Sequence, residues 1–432
     1  MFLRIADDEL WPGNRRRNKW LNRIFRMRSV RQDTMTAFVE SCVETVAGSA
    51  HAAEKRARGR GRPKAAQLLR LLKDKKNILI TTHEHPDPDA LASGQGLLRL
   101  LEHVLPTAKV NMAIKGRTGG GINEAFVKFS SLKLIQWDDE TLKEYDAIVL
   151  LDTQPAFAFS PLPANLNPTA VIDHHRSRLR KPQCAFCDIR TEVGATSSII
   201  FSYFMELEIP IRPDLGATLL YGIESDLAGA AGAPGELDNL ALSSLTLVAD
   251  PRRLYQMRYV DLPQSYYIAY SSGIANAYYY DDVLMSHIDT IDSLEKPAVL
   301  ADFLLRFDKV KWALVTAPYE GRLMVSLRTS DAKISAADIM RRLVRKIGEG
   351  GGHRAKAGGF VKLETGTPSE IERIRTVLRR RYLRALNVKA PRGQKLVPDV
   401  KKIEPIKPAP VSRGSPSNAG VKLAASAPGS AS

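Results

Sequence analysis

The sequence predicts an α/β protein built from two units: a parallel-sheet unit followed by a smaller α/β unit. Three observations carry this. Short apolar, β-rich runs alternate with helix-length stretches across 66–265, the pattern of a parallel sheet covered on both faces. From Ala195 to about Tyr280 the pattern is helical, and a second alternation begins near Val283. The chain has 432 residues, 44% hydrophobic and 25% charged, which supports two or three cores and excludes a fibrous or wholly disordered chain.

Residues 1–65 hold two basic clusters, Arg15-Arg16-Arg17 and the run from Lys55 to Lys64, and read as a mostly disordered extension. The first unit is expected over 66–265. Its first strand is 77–82 (NILITT), followed by a helix over 90–104. Further strands are expected at 110–114, 132–137, 147–152 and 170–173. Residues 266–282 read as a linker, with Tyr266, Tyr267, Tyr270, Tyr278, Tyr279 and Tyr280 packing between the units. The second unit, 283–390, has strands expected at 312–316 and 323–328 and helices at 336–347 and 369–386. Residues 391–432 hold seven prolines and read as a disordered tail.

The net charge of +16 is concentrated at the ends. Residues 1–64 carry 15 Lys/Arg against 7 Asp/Glu, and 391–432 carry 7 against 2. Such tails hold RNA weakly through its phosphates and say nothing of the core's chemistry. No apolar run is long enough for a transmembrane helix, and Asp7, Asp8 and Glu9 interrupt any secretory pattern. Three cysteines fit a reducing cytoplasm. Cys184 and Cys187 have no second pair at zinc-ligand spacing, so ordinary thiols are expected.

Acidic and histidine motifs sit where strands or helices end. They are His83-Glu84-His85-Pro86-Asp87-Pro88-Asp89, Asp152-Thr153, Asp173-His174-His175 and Glu224-Ser225-Asp226. In an open parallel sheet the carboxyl ends of the strands share one edge, where ligands bind. His83, Asp87, Asp89, Asp152 and His174 would converge there. Clustered carboxylates repel and raise one another's pKa, and a divalent cation neutralises them. Mixed Asp and His donors without thiolates suit Mn²⁺ first and Mg²⁺ second. A lone acid after a strand is usually a helix cap; several such motifs in one unit point to a site.

These motifs resemble those of the DHH phosphoesterase superfamily, whose first motif runs His-x-Asn-Pro-Asp-Gly-Asp-Ala. In the second unit, Gly350-Gly351-Gly352-His353-Arg354-Ala355-Lys356-Ala357-Gly358 is similar to the Gly-Gly-Gly-His-x-x-Ala-Ala-Gly loop of the DHH-associated C-terminal domain. The likeness covers roughly 70–390, and its layout resembles the bacterial nanoRNase group. It implies an active site in the cleft between the units, with His83, Asp87 and Asp152 on one metal. Asp89, Asp152, His174 and Asp226 would hold a second, with Asp152 bridging. His175 would face the scissile phosphate, and Asp173 would orient a neighbouring imidazole. His85 and Pro88 depart from the family's Asn and Gly.

The glycine-rich stretch from Gly348 to Gly359 lets backbone N–H groups approach an anion. Gly351, Gly352 and His353 are the expected substrate contacts there, and Arg328 the expected clamp on a terminal phosphate. The resemblance implies a cytoplasmic hydrolase cutting short RNA, and pAp, with two divalent ions; a homodimer is compatible with it. Two rivals stand beside this reading. One is a cyclic-dinucleotide phosphodiesterase or RecJ-like exonuclease, the other a basic RNA-binding protein on a degenerate scaffold.

Overall fold

The computed structural model describes residues 63–398 apart from 117, 119–120, 158, 177–182, 228–233, 353 and 391. The basic extension before residue 63, the tail beyond 398 and the expected contact His353 lie outside the described residues.

The first unit holds a six-stranded sheet in the order β3-β2-β1-β4-β5-β6. Its strands are β1 (Asn77–Thr81), β2 (Lys109–Ile114), β3 (Ile135–Gln136), β4 (Ala147–Leu151), β5 (Ala170–Asp173) and β6 (Phe186–Ile189). Every pairing is parallel. Side chains alternate across the sheet. Ile78 and Ile80 of β1, with Val149 and Leu151 of β4, enter one core; Leu79, Ile148 and Leu150 enter the core on the other face. Full burial of such a side chain contributes about 1.5–3 kcal/mol, so both faces are held.

Helices α1 (Lys64–Leu72), α2 (Pro88–Val104) and α3 (Gly121–Ser130) belong to this unit, as do α4 (Thr196–Glu206), α5 (Pro213–Leu227), α6 (Glu236–Val248) and α7 (Pro251–Arg258). Helix α2 starts where it does because Asp87 caps it, accepting from Ala90 N at 3.0 Å, and Pro88 presets the first turn. Gly222 lets α5 lie close to α2 and α4. A Cβ there would sit 2.6 Å from Ala92 Cβ and 2.8 Å from Ser197 Oγ. That approach delivers Asp226, one turn further on, to the sheet's edge.

The second sheet has seven strands in the order β11-β12-β10-β9-β8-β7-β13. They are β7 (Tyr278–Tyr280), β8 (Val283–His287), β9 (Trp312–Tyr319), β10 (Arg322–Thr329), β11 (Gly348–Gly352), β12 (Lys356–Lys362) and β13 (Gln394–Lys395). Only the β8–β9 pairing is parallel. Leu314, Leu323 and Val325 pack with α10 (Ala336–Val344) and α11 (Pro368–Ala385). On the opposite face Ala313 and Val315 pack with α8 (Gln264–Ala275) and α9 (Lys296–Leu304).

Three sequence expectations change in detail. The stretch 266–282 is occupied by α8 and β7, and β7 joins the second sheet. The glycine run is two paired strands, β11 and β12. Cys184 and Cys187 are joined by a disulfide rather than standing as ordinary thiols. The start of β6 leaves their Cα atoms 6.3 Å apart, within bridging range.

Candidate metal centre

The carboxyl edge of the first sheet gathers every proposed ligand. His83 and Asp87 follow β1, Asp152 follows β4, His174 and His175 follow β5, and Asp89 lies in the first turn of α2. Asp226 arrives from the last turn of α5. Three overlapping groups have ligand atoms within 4.8 Å of one another: His83, Asp87 and Asp152; Asp89, His174 and Asp226; and Asp152, His174 and His175. Asp152 and His174 each belong to two groups. His85 belongs to none of these groups; its ring lies against Gly116, where a Cβ would meet it at 2.8 Å.

Asp152 is buried in the left-handed backbone region, with φ of 55°. Such a conformation is uncommon outside glycine and tolerated by Asp. Its oxygens face His83 Nε2 at 3.7 Å and His174 Nε2 at 3.4 Å. Thr196 Oγ1 donates to Asp152 Oδ1 at 2.7 Å. Asp89 is fully buried and accepts from two amides at the start of α4, Thr196 N at 2.7 Å and Ser197 N at 2.9 Å. The first turn of α4 therefore holds two of the carboxylates: Asp89 through N–H groups that the helix itself leaves unsatisfied, and Asp152 through the Thr196 hydroxyl.

Burial, followed by the charges of Asp152 and Asp226, pushes the Asp89 carboxyl well above the ordinary range. The same causes raise Asp87. His174 Nδ1 donates to the Val193 carbonyl at 3.2 Å, which turns Nε2 toward Asp152 and Asp226, both at 3.4 Å. Burial lowers the His174 pKa, but these carboxylates outweigh it and hold it well above 6.5. A neutral imidazole would aim a lone pair at two anions. A cation between those atoms removes the conflict, so the donor set fits divalent metals.

Asp173 anchors the adjacent histidine. It accepts from His174 N at 2.8 Å, His175 N at 3.1 Å, His175 Nδ1 at 2.7 Å and Gln154 Nε2 at 2.7 Å. Burial raises its pKa, but the His175 charge and these bonds prevail and hold the carboxyl at about 2. His175 is raised in turn: burial opposes its charge, and Asp173 more than compensates.

The second unit meets this edge through Lys356. Its Nζ donates to the Ser225 carbonyl and lies 3.9 Å from Asp226 Oδ1. Arg328, the expected clamp, instead donates to Asp302 Oδ1 at 2.7 Å, Ser326 Oγ at 3.2 Å and the Leu327 carbonyl at 3.2 Å. Gly351 and Gly352 lie on β11, the outer strand of the sheet. Sequence reasoning missed Thr196, Gln154 and Lys356. Thr196 and Gln154 carry no motif. Lys356 had a signal, since it stands where the similar loop has its first Ala.

Residues 77–223 match the DHH family, N-terminal domain, and residues 283–382 match the DHHA1 domain. The chain is 28% identical over 306 residues to an uncharacterized protein of Methanocaldococcus jannaschii, covering 70% of this chain and 62% of that protein. It thus spans less than two thirds of that relative. It is 25% identical over 311 residues to a Streptococcus mutans protein named probable bifunctional oligoribonuclease and PAP phosphatase, covering 67% of this chain and 91% of that one. In fold it is similar to an exopolyphosphatase-related protein from Bacteroides fragilis, with TM-score 0.57 and 17% identity over 76% of this chain and 98% of the other. Two domain matches in order, on a sheet edge that gathers the acidic and histidine motifs, show that the chain belongs to the DHH superfamily of phosphoesterases.

Proposed function

We propose that this chain hydrolyses short RNA oligonucleotides, and pAp, as a two-metal phosphoesterase. The convergence of Asp87, Asp89, Asp152 and Asp226 with His83 and His174 at one sheet edge carries this reading. His83, Asp87 and Asp152 would hold one ion, and Asp89, Asp152, His174 and Asp226 the other, with Mn²⁺ the best match to the donors. Bound ions supply Lewis-acid activation of water and of the phosphate. Asp173 fixes the His175 ring through Nδ1, so that its other nitrogen is presented to the developing phosphate charge. Gln154 holds Asp173 in place and also donates to the His175 carbonyl at 3.0 Å. The similarity to the Streptococcus protein, which is covered almost end to end, supports a short nucleotide substrate. A degenerate RNA-binding scaffold is disfavoured, because so many mutually repelling carboxylates are kept.

The test is turnover of a panel in Mn²⁺, with EDTA as the blank: a dinucleotide, a pentanucleotide, a long single strand, pAp and cyclic di-AMP. The dinucleotide and pAp are expected to be cut fastest, and EDTA to abolish cutting. Preference for cyclic di-AMP or for the long strand would transfer the assignment to that substrate. Full activity of metal-free protein would overturn the mechanism.

A further inference from the structure

Lys356 brings a cation of the second unit to the acidic edge, and its surroundings leave room for a ligand. Residues 356, 358 and 360 alternate onto one face of β12. That face meets the first unit at two places. Lys356 reaches Ser225 and Asp226, and the Phe360 ring packs edge-on against Phe159 at 6.2 Å. Between them lies Gly358, paired across the strands with Gly351. A Cβ added at either glycine would meet nothing within 4 Å. The two contacts are about 13 Å apart along the strand, and bare backbone floors the gap between them.

Charge supplies the rest. Four carboxylates balance two divalent ions, and a nucleotide phosphate then adds negative charge that needs its own cation. Arg328 lies directly opposite Lys356 in the β10–β12 register, on the same face, but its guanidinium is engaged by Asp302. Lys356 holds a backbone carbonyl and a more distant carboxylate, and its flexible stem allows it to exchange the carbonyl for a phosphate oxygen. A charge-assisted bond to phosphate is the stronger partner. We propose that Lys356 is a specificity-determining residue that binds a phosphate oxygen of the nucleotide in this inter-unit slot. The proposal rests on the phosphoesterase reading above for its substrate class.

The experiment is calorimetric binding to the full-length chain in Mn²⁺, with AMP and adenosine as probes. Lys356→Met is expected to weaken AMP by about tenfold or more while leaving adenosine unchanged. Lys356→Arg should keep most of the AMP affinity, which guards against a folding defect in the first variant. Titration with Mn²⁺ alone should show no loss of affinity in Lys356→Met, since an ammonium beside Asp226 repels a cation. Equal AMP binding by wild type and Lys356→Met would overturn the proposal. So would equal losses for AMP and adenosine, which mark a mere inter-unit tether, or weaker Mn²⁺ binding, which marks an effect through Asp226. If wild type binds AMP through Lys356 yet cuts neither pAp nor a dinucleotide, the phosphoesterase reading fails and the phosphate contact stands.

Discussion

At the scale of single residues, Asp152 and Asp173 are both buried acids at strand ends, yet they do different work. Asp152 lies between His83 and His174 and would bridge two ions. Asp152→Ala should therefore lower turnover of a dinucleotide by at least ~1000-fold. Its far-UV circular dichroism should stay unchanged, because one source of repulsion is gone. A variant with near-normal kcat would remove Asp152 from the centre. Asp173 titrates at about 2, so the stability it lends is present above 3.8 and is lost as pH falls toward 2. His175 is shifted the other way: its contribution is full below 6.5 and fades as pH rises through its higher folded value. In metal-free protein, wild type should exceed Asp173→Asn in stability most between pH 3.8 and 6.5. Urea melts across pH measure this, and a difference that does not vary with pH would argue against the ion pair.

Among the elements, helix starts carry much of the organisation. Thr196 and Ser197 open α4 and seize Asp89 and Asp152. Glu370, in the first turn of α11, gathers the amides of Glu364, Thr365 and Gly366, each at 2.9 Å. Those bonds hold its carboxyl at about 2, so this support is lost as pH falls from 4.5 toward 2. Glu370→Gln should lower the melting temperature at neutral pH and flatten the acid limb of the melting curve. An unaltered acid limb would show that the turn holds without the charge. The strands β1, β4 and β5 were legible in the sequence, because each is a short apolar run closed by an acidic or histidine motif, a pattern with few other readings. The glycine run was legible as chemistry but not as strands, since glycine has no β preference and only pairing with β12 makes it one. Thr196 was illegible because a hydroxyl at a helix start ordinarily caps its own helix, and here it bonds a residue 44 positions away. Lys356 stood out as a departure from the similar loop, but only the fold shows that its side chain reaches Ser225 and Asp226.

For the molecule as a whole, the two units are joined by more than the chain. Glu295 of the second unit accepts from Ile122 N at 3.1 Å and from the Tyr266 hydroxyl, and Lys296 lies over the Tyr266 ring at 4.6 Å. Among the described residues no helix is long and apolar enough to cross a membrane. All proposed ligands fall within 83–226, so removing residues 1–62 and 399–432 should leave dinucleotide turnover intact while salt-sensitive RNA retention on a column falls. A folded but inactive core would place part of the site in the tails. The grip of α4 on Asp89 and Asp152 has a further consequence, in time rather than in energy. Two carboxylates from distant segments are pinned by the polypeptide before any ion arrives. Loading then requires ions to diffuse to carboxylates that are already held in place. Stopped-flow addition of Mn²⁺ to the stripped protein should regain activity in one fast phase, and Thr196→Val, which releases Asp152 from that grip, should add a slow one.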